Sequence, residues 1–225
     1  MPWYLAAPII LLLVVLPFFL RAEYHSPRRV KLPLKLVCSL CFLSLGVLSA
    51  VTGVKGHVHA YDALMLAGLA LSLAGDMLLG WSLQRPTFLF GLVAFLVAHV
   101  LYSTAFTLAN GFSAWDLLIM VGVVGACIAA YRVLDMDLGK MKIPVLAYLL
   151  IISFMLVKAL SSLYLGGITG PALWLVIGGA VLFFASDALL ALVKFQRKPA
   201  RYFRAMNLTA YYIGQILLAL SLYYF

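Results

Sequence analysis

A chain of 225 residues that is 66% hydrophobic, 10% charged and has a mean hydropathy of +1.12 lacks the polar side chains needed to cover a soluble globule. Its net charge of +9 is accounted for by anionic lipid headgroups, so nucleic acid is not needed as a partner. The chain reads as an all-α integral membrane protein surrounded by membrane lipids.

A hydrocarbon core about 30 Å thick takes about 20 apolar residues per helix. Segments 3–20, 33–51, 61–80, 88–109, 114–134, 143–164, 171–193 and 203–225 meet that requirement. They use most of the chain, so residues 1–225 form a single transmembrane domain, a bundle of eight helices in which short loops make sequential helices antiparallel. The first segment lacks the basic flank and the cleavage site of a signal peptide and is read as a spanning helix. Fourteen of the sixteen Lys and Arg fall in or beside the odd-numbered connections, leaving Lys55 and Lys158 on the other side. This asymmetry predicts cytoplasmic odd loops with both termini outside. The loop charges suit a bacterial inner membrane, the location preferred here, or equally a eukaryotic endomembrane.

Cys38, Cys41 and Cys127 all lie in apolar spans. The C-x-x-C at 38–41 has no second pair, so packing is the expected role, and no metal or cofactor is expected. More informative is Asp76 in "LSLAGDMLLG", which reappears as Asp187 in "LFFASDALLALVKF": a small residue, Asp, one residue, then Leu-Leu. The recurrence suggests a parallel 4+4 repeat with halves 1–110 and 111–225. Both aspartates would then lie at equal depth in the cytoplasmic third, facing one cavity.

Other polar residues fall on stripes. Asn207, Tyr211 and Gln215 are spaced by four, His99 and Tyr102 by three, and Lys31, Lys35 and Cys38 run down one side of the second segment. Tyr148 and Lys158 add polar atoms from the sixth segment. Structural readings stand beside functional ones. Asn207 and Gln215 can glue helices, Lys31, Lys35 and Lys158 can snorkel to headgroups, and His99 can pack as a neutral ring. Asp76 can form a structural ion pair with a lysine of the second segment. An intramembrane carboxylate is nevertheless a functional candidate by default.

The elements "LSLAGDMLLG", "FLFGLVAFLVAHVLYS", "ASDALLALVKF" and "TAYYIGQILLALSL", in this order, resemble the YhhN-like lysoplasmalogenase family over nearly the whole chain. The resemblance implies hydrolysis of the vinyl ether bond of lysoplasmalogens to a fatty aldehyde and a glycerophospho-headgroup compound. The positions carried over are Asp76, His99, Tyr102, Asp187, Tyr211 and Gln215, together with a lysine that is Lys31 or Lys35.

The residue types suit that chemistry. A vinyl ether becomes electrophilic only after its β-carbon is protonated, so an acid is the first requirement. Of two carboxyls in one apolar cavity, one can hold a proton while the other stays ionised and serves the water. Asp76 and Asp187 are the expected acid/base pair, with His99 and Tyr211 orienting them and Gln215 bonding the glycerol or the ether oxygen. Lys31, Lys35 or the rim arginines would hold the phosphate of the lysophospholipid. The chain's apolar tail would enter from the lipid past Phe95, Phe183 or Phe184. The same paired carboxylates also describe a proton-coupled transporter, although helix-breaking Gly and Pro pairs are few apart from Gly178-Gly179. A lipid-binding scaffold without turnover is the third reading.

Overall fold

The computed structural model describes residues 2–54, 59–82, 84–134 and 136–225, with the side chain of Arg85 left aside; Lys55 lies outside the described residues. Its long helices are α1 (Trp3–His25), α2 (Arg28–Thr52), α3 (Ala60–Trp81), α4 (Arg85–Asn110), α5 (Ala114–Val133), α6 (Lys142–Leu160), α8 (Gly170–Phe195) and α9 (Tyr202–Tyr224). The single turn α7 (Ser162–Leu165) intervenes between α6 and α8. Among the described residues, eight helices are long and apolar enough to cross a membrane.

Local sequence sets several of the boundaries. α3 and α5 each begin with a capping box, His59 with Asp62 and Ser113 with Asp116, which satisfies backbone N–H groups that have no helical partner. α4 stops at Gly111, where φ is +76°, a conformation that costs glycine nothing. α2 starts at Arg28, five residues before the start of the apolar segment at 33, and continues through Pro33. The basic opening of the helix hides it from an apolarity criterion, yet this extra turn is what sets Lys31 and Lys35 on one helical face.

Glycines allow the closest helix contacts. A Cβ at Gly68 would lie 2.4 Å from the Tyr102 ring, and one at Gly75 would lie 2.6 Å from Phe95, so α3 and α4 interlock through these pairs. Gly179 and Gly214 approach each other in the same way, each leaving only 3.0 Å between a built Cβ and the other's carbonyl oxygen. α2, α3 and α9 surround the buried interior, whereas α5 packs chiefly on α6 and leaves most of its surface to lipid.

The odd-numbered connections meet at one end of the bundle. There the Tyr24 hydroxyl donates to the Arg201 carbonyl at 2.7 Å, Arg28 Nη1 donates to the Trp81 carbonyl at 2.9 Å, and Asp137 N–H donates to the Phe195 carbonyl at 2.8 Å. At the opposite end Val54 N–H reaches the Tyr223 carbonyl at 3.0 Å, and Asn110 Nδ2 reaches Ser162 Oγ at 2.8 Å.

Lys158 does not snorkel to the far interface. Its side chain is fully buried, 2.9 Å from Asp116 Oδ2 and donating to the Gly111 carbonyl at 2.7 Å, and Tyr164 donates to the other oxygen of Asp116. A counter-ion within the protein removes the reason to extend toward phosphates, and the cluster ties α5 to α6 and to the end of α4. Lys158→Met leaves Asp116 buried without its cation and is expected to cost about 3–5 kcal/mol, read as a lower unfolding midpoint in detergent. Adding Asp116→Asn should recover part of that loss, and an equal loss in the double variant would refute the coupling.

Candidate active site

Asp76, near the C-terminal end of α3, is almost completely buried. Its Oδ1 lies 3.0 Å from Lys35 Nζ, and its Oδ2 accepts from Ser39 Oγ at 2.6 Å and from the Tyr211 hydroxyl at 2.8 Å. Lys35 and Ser39 are one turn apart on α2, and Tyr211 comes from α9, so the carboxylate is held from two neighbouring helices. Lys35 is therefore not a headgroup snorkeler: its side chain is 4% exposed. The structural reading of Asp76, an ion pair with a lysine of the second span, has its partner in Lys35. Lys31, one turn nearer the helix end, is 29% exposed and 3.8 Å from Glu23.

Asp187, near the C-terminal end of α8, has different neighbours. Its Oδ2 accepts the hydroxyl proton of Tyr148 from α6 and lies 3.3 Å from His99 Nε2 of α4, while Oδ1 is contacted by Ser186 Oγ at 3.4 Å. The Tyr148 hydroxyl has a single proton, which Asp187 receives, so the 3.0 Å contact between Tyr148 and His99 Nε2 needs a proton on that nitrogen. A neutral His99 is thus the Nε2–H tautomer with Nδ1 bare, and Nδ1 is buried without a hydrogen-bond partner.

No hydrogen bond or ion pair joins Asp76 to Asp187 among the described residues. Aromatic rings connect their surroundings instead: the Phe183 centroid is 4.6 Å from that of His99 and 5.3 Å from that of Tyr211, and Phe95 packs edge-on against Phe183 and Tyr211. Tyr102 donates to Gln215 Oε1 at 3.3 Å, next to Ser72, and Gln215 Nε2 is buried without a partner. Asn207 sits away from both carboxylates. Its Nδ2 donates to the Ser186 carbonyl at 2.7 Å and its Oδ1 accepts from Arg204 at 3.3 Å, so it links the turn beside Asp187 to the rim of the bundle.

Two cavities open at this end. One, of about 190 Å³, lies among α5, α6 and α8; its wall is almost wholly apolar, including Leu149, Ile152 and Phe184, and Asp187 and Tyr148 border it. The other, of about 480 Å³, is polar and lies among the ends of α1, α2, α3 and α9, with Glu23, Arg28, Lys31, Lys35, Trp81 and Arg204 on its walls. Sequence reasoning had placed Tyr148 among interior polar atoms without giving it a role at the site, and had not singled out Ser39 or Glu23. Ser39 was recoverable from its position one turn after Lys35. Tyr148 and Glu23 carry no local signal, since their partners are distant in sequence. Among the described residues no three of His, Cys, Asp and Glu converge.

A bundle of eight membrane-spanning helices that keeps charged and phenolic groups inside one end, beside an apolar cavity and a basic one, defines a polytopic membrane protein with a polar interior. The chain belongs to the YhhN family, whose model matches residues 30–222. The lysoplasmalogenase TMEM86A of Bos taurus is 36% identical to it over 165 residues, covering 72% of this chain and 66% of the bovine protein, just under two thirds of its length. The lysoplasmalogenase TMEM86B of Mus musculus is 31% identical over 217 residues, 88% of each chain. A lysoplasmalogenase of Mycobacterium tuberculosis is 31% identical over 157 residues, 68% of this chain and 58% of that protein. No solved structure matches the chain.

The two lysines of α2 are expected to differ sharply in their contribution to stability. Lys35→Met strands a buried carboxylate and should cost about 3–5 kcal/mol, whereas Lys31→Met removes a partly exposed, loose pair worth about 0–1 kcal/mol. Thermal unfolding of the two variants in one detergent checks this, and similar midpoints would contradict it.

Proposed function

We propose that this protein hydrolyses the vinyl ether bond of lysoplasmalogens, or of a closely related lysolipid, inside the membrane. The observation that carries the reading is Asp187 and Tyr148 on the wall of an apolar cavity, with His99 in contact with both, because an alkenyl chain needs an acid where its own hydrocarbon can lie. The names of the relatives support the same reaction.

In the proposed sequence, Asp187 gives the proton on Oδ1, the oxygen not occupied by Tyr148 and His99, to the β-carbon of the vinyl ether. The positive charge that forms at the α-carbon and the ether oxygen is an oxocarbenium ion. The ionised Asp76, fixed by Lys35 and reached through Tyr211 and Phe183, is the negative charge within the bundle that favours it. Water adds to the α-carbon and its proton passes to the bare Nδ1 of His99. His99 returns the Nε2 proton to Asp187 across the 3.3 Å contact. The proton of the hemiacetal hydroxyl then passes to the glycerol oxygen as the C–O bond between the α-carbon and that oxygen breaks, releasing an aldehyde and the glycerophospho compound. Gln215 Nε2, buried without a partner, is the donor proposed for the ether or glycerol oxygen, and Tyr102 orients that amide through Oε1.

The test is aldehyde release from a lysoplasmalogen by the purified protein, with Asp187→Asn, Asp76→Asn and Tyr148→Phe alongside. A positioned acid or base contributes about 10²–10⁴-fold, so each Asn variant should lose turnover by that range with folding retained, and Tyr148→Phe should lose less. Full activity in Asp187→Asn would remove that residue from the chemistry. Absence of release from every vinyl ether, together with proton-coupled uptake in liposomes, would favour transport.

A further inference from the structure

The polar cavity is a second site with chemistry of its own, and the mechanism above uses only its floor. Four cations, Arg28, Lys31, Lys35 and Arg204, line it against one carboxylate, Glu23, and Asp76 is paired with Lys35 from outside the lining, so the excess there is positive. Lys35 is matched by Asp76. Arg204 is matched by Glu23, whose Oε1 it contacts at 2.9 and 3.0 Å. Among the described residues Arg28 pairs with no carboxylate: it donates to the Trp81 carbonyl and lies 4.3 Å above the Trp81 ring. α2 also begins beside this cavity, where the positive end of its dipole favours an anion.

An anion alone does not account for Glu23. Its Oε2 has Lys31 at 3.8 Å, too far for a hydrogen bond, while its Oε1 is occupied by Arg204. A carboxylate oxygen without a close donor, among groups suited to phosphate, matches a ligand that carries both charges. We propose that this cavity binds the headgroup of the lysolipid and selects a phosphodiester bearing a primary ammonium, with the phosphate on Arg28 and Lys31 and the ammonium on Glu23 Oε2. The proposal rests on the lysolipid reading above. A primary ammonium has three N–H donors for Oε2 and the cavity's other acceptors. A quaternary ammonium has none and is recognised by aromatic faces; of the two aromatic side chains that line this cavity, Trp81 is already stacked by Arg28 and Phe19 packs edge-on with Tyr212. The volume of about 480 Å³ lies within the range of small-ligand sites, about 300–1,000 Å³.

The experiment uses the purified full chain in detergent and follows the rise of its unfolding midpoint with glycerophosphoethanolamine, glycerophosphocholine, glycerol 3-phosphate and inorganic phosphate. Glycerophosphoethanolamine should bind about tenfold more tightly than the choline compound, the ratio that one charge-assisted hydrogen bond supplies. Glu23→Gln should bring that ratio close to one, Glu23→Asp should restore part of it, and Arg28→Gln should weaken both compounds alike. Equal binding of the two headgroups by the wild-type protein, or a ratio unchanged by Glu23→Gln, overturns the proposal. Inorganic phosphate binding as tightly as glycerophosphoethanolamine overturns it in favour of a free-anion site. The readout needs no turnover, so selective binding without aldehyde release would count against the hydrolase reading alone. Aldehyde release without selective binding would count against this site alone.

Discussion

Burying Asp76 in a lipid-embedded bundle is tolerable only because Lys35 lies 3.0 Å away, and the rest of the site is arranged around that requirement. The pair fixes the depth of α2 relative to α3. Ser39 and Tyr211 then fill the second carboxylate oxygen, which brings α9 to the same level. Gly68 and Gly75 let α4 come close to α3, and this close approach carries His99 and Tyr102 into the interior. A single electrostatic constraint thus becomes a packing constraint on four helices.

The two carboxylates are embedded in different chemistry. Asp76 is surrounded by donors, the Lys35 amine, the Ser39 hydroxyl and the Tyr211 phenol. Asp187 is surrounded by a phenol and an imidazole, groups that pass protons between oxygen and nitrogen. The cavities divide in the same way, one apolar and one basic, at the same end of the bundle. The lysolipid proposed as substrate is likewise divided into an apolar and a charged part, and Asn207 joins the two sides of the bundle through Arg204 and the Ser186 carbonyl.

The spans and the two aspartates were legible because apolar length and an intramembrane charge are one-dimensional signals. Of their partners, Tyr211 and His99 are named by the polar stripes and the family resemblance, although they meet the aspartates across 135 and 88 positions; Ser39 and Tyr148, 37 and 39 positions away, carry no such mark. Periodicity placed Asn207, Tyr211 and Gln215 on one face of α9 but could not show that only Tyr211 reaches a carboxylate. It likewise left Lys31 and Lys35 equivalent. The difference between them is depth, one helical turn, and that turn became readable only once α2 was seen to begin at Arg28. Of the two readings of Lys158, interior polar group and snorkeling lysine, the structure takes the first, and the choice is not legible because its counter-ion Asp116 serves a helix start 42 residues earlier.

α5 walls the apolar cavity while resting on little besides α6, and nearly all of its other surface faces hydrocarbon. The lipid is therefore a structural component of that wall. Lateral pressure in a surrounding leaflet would act on α5 directly, with little protein besides α6 behind that helix to resist it.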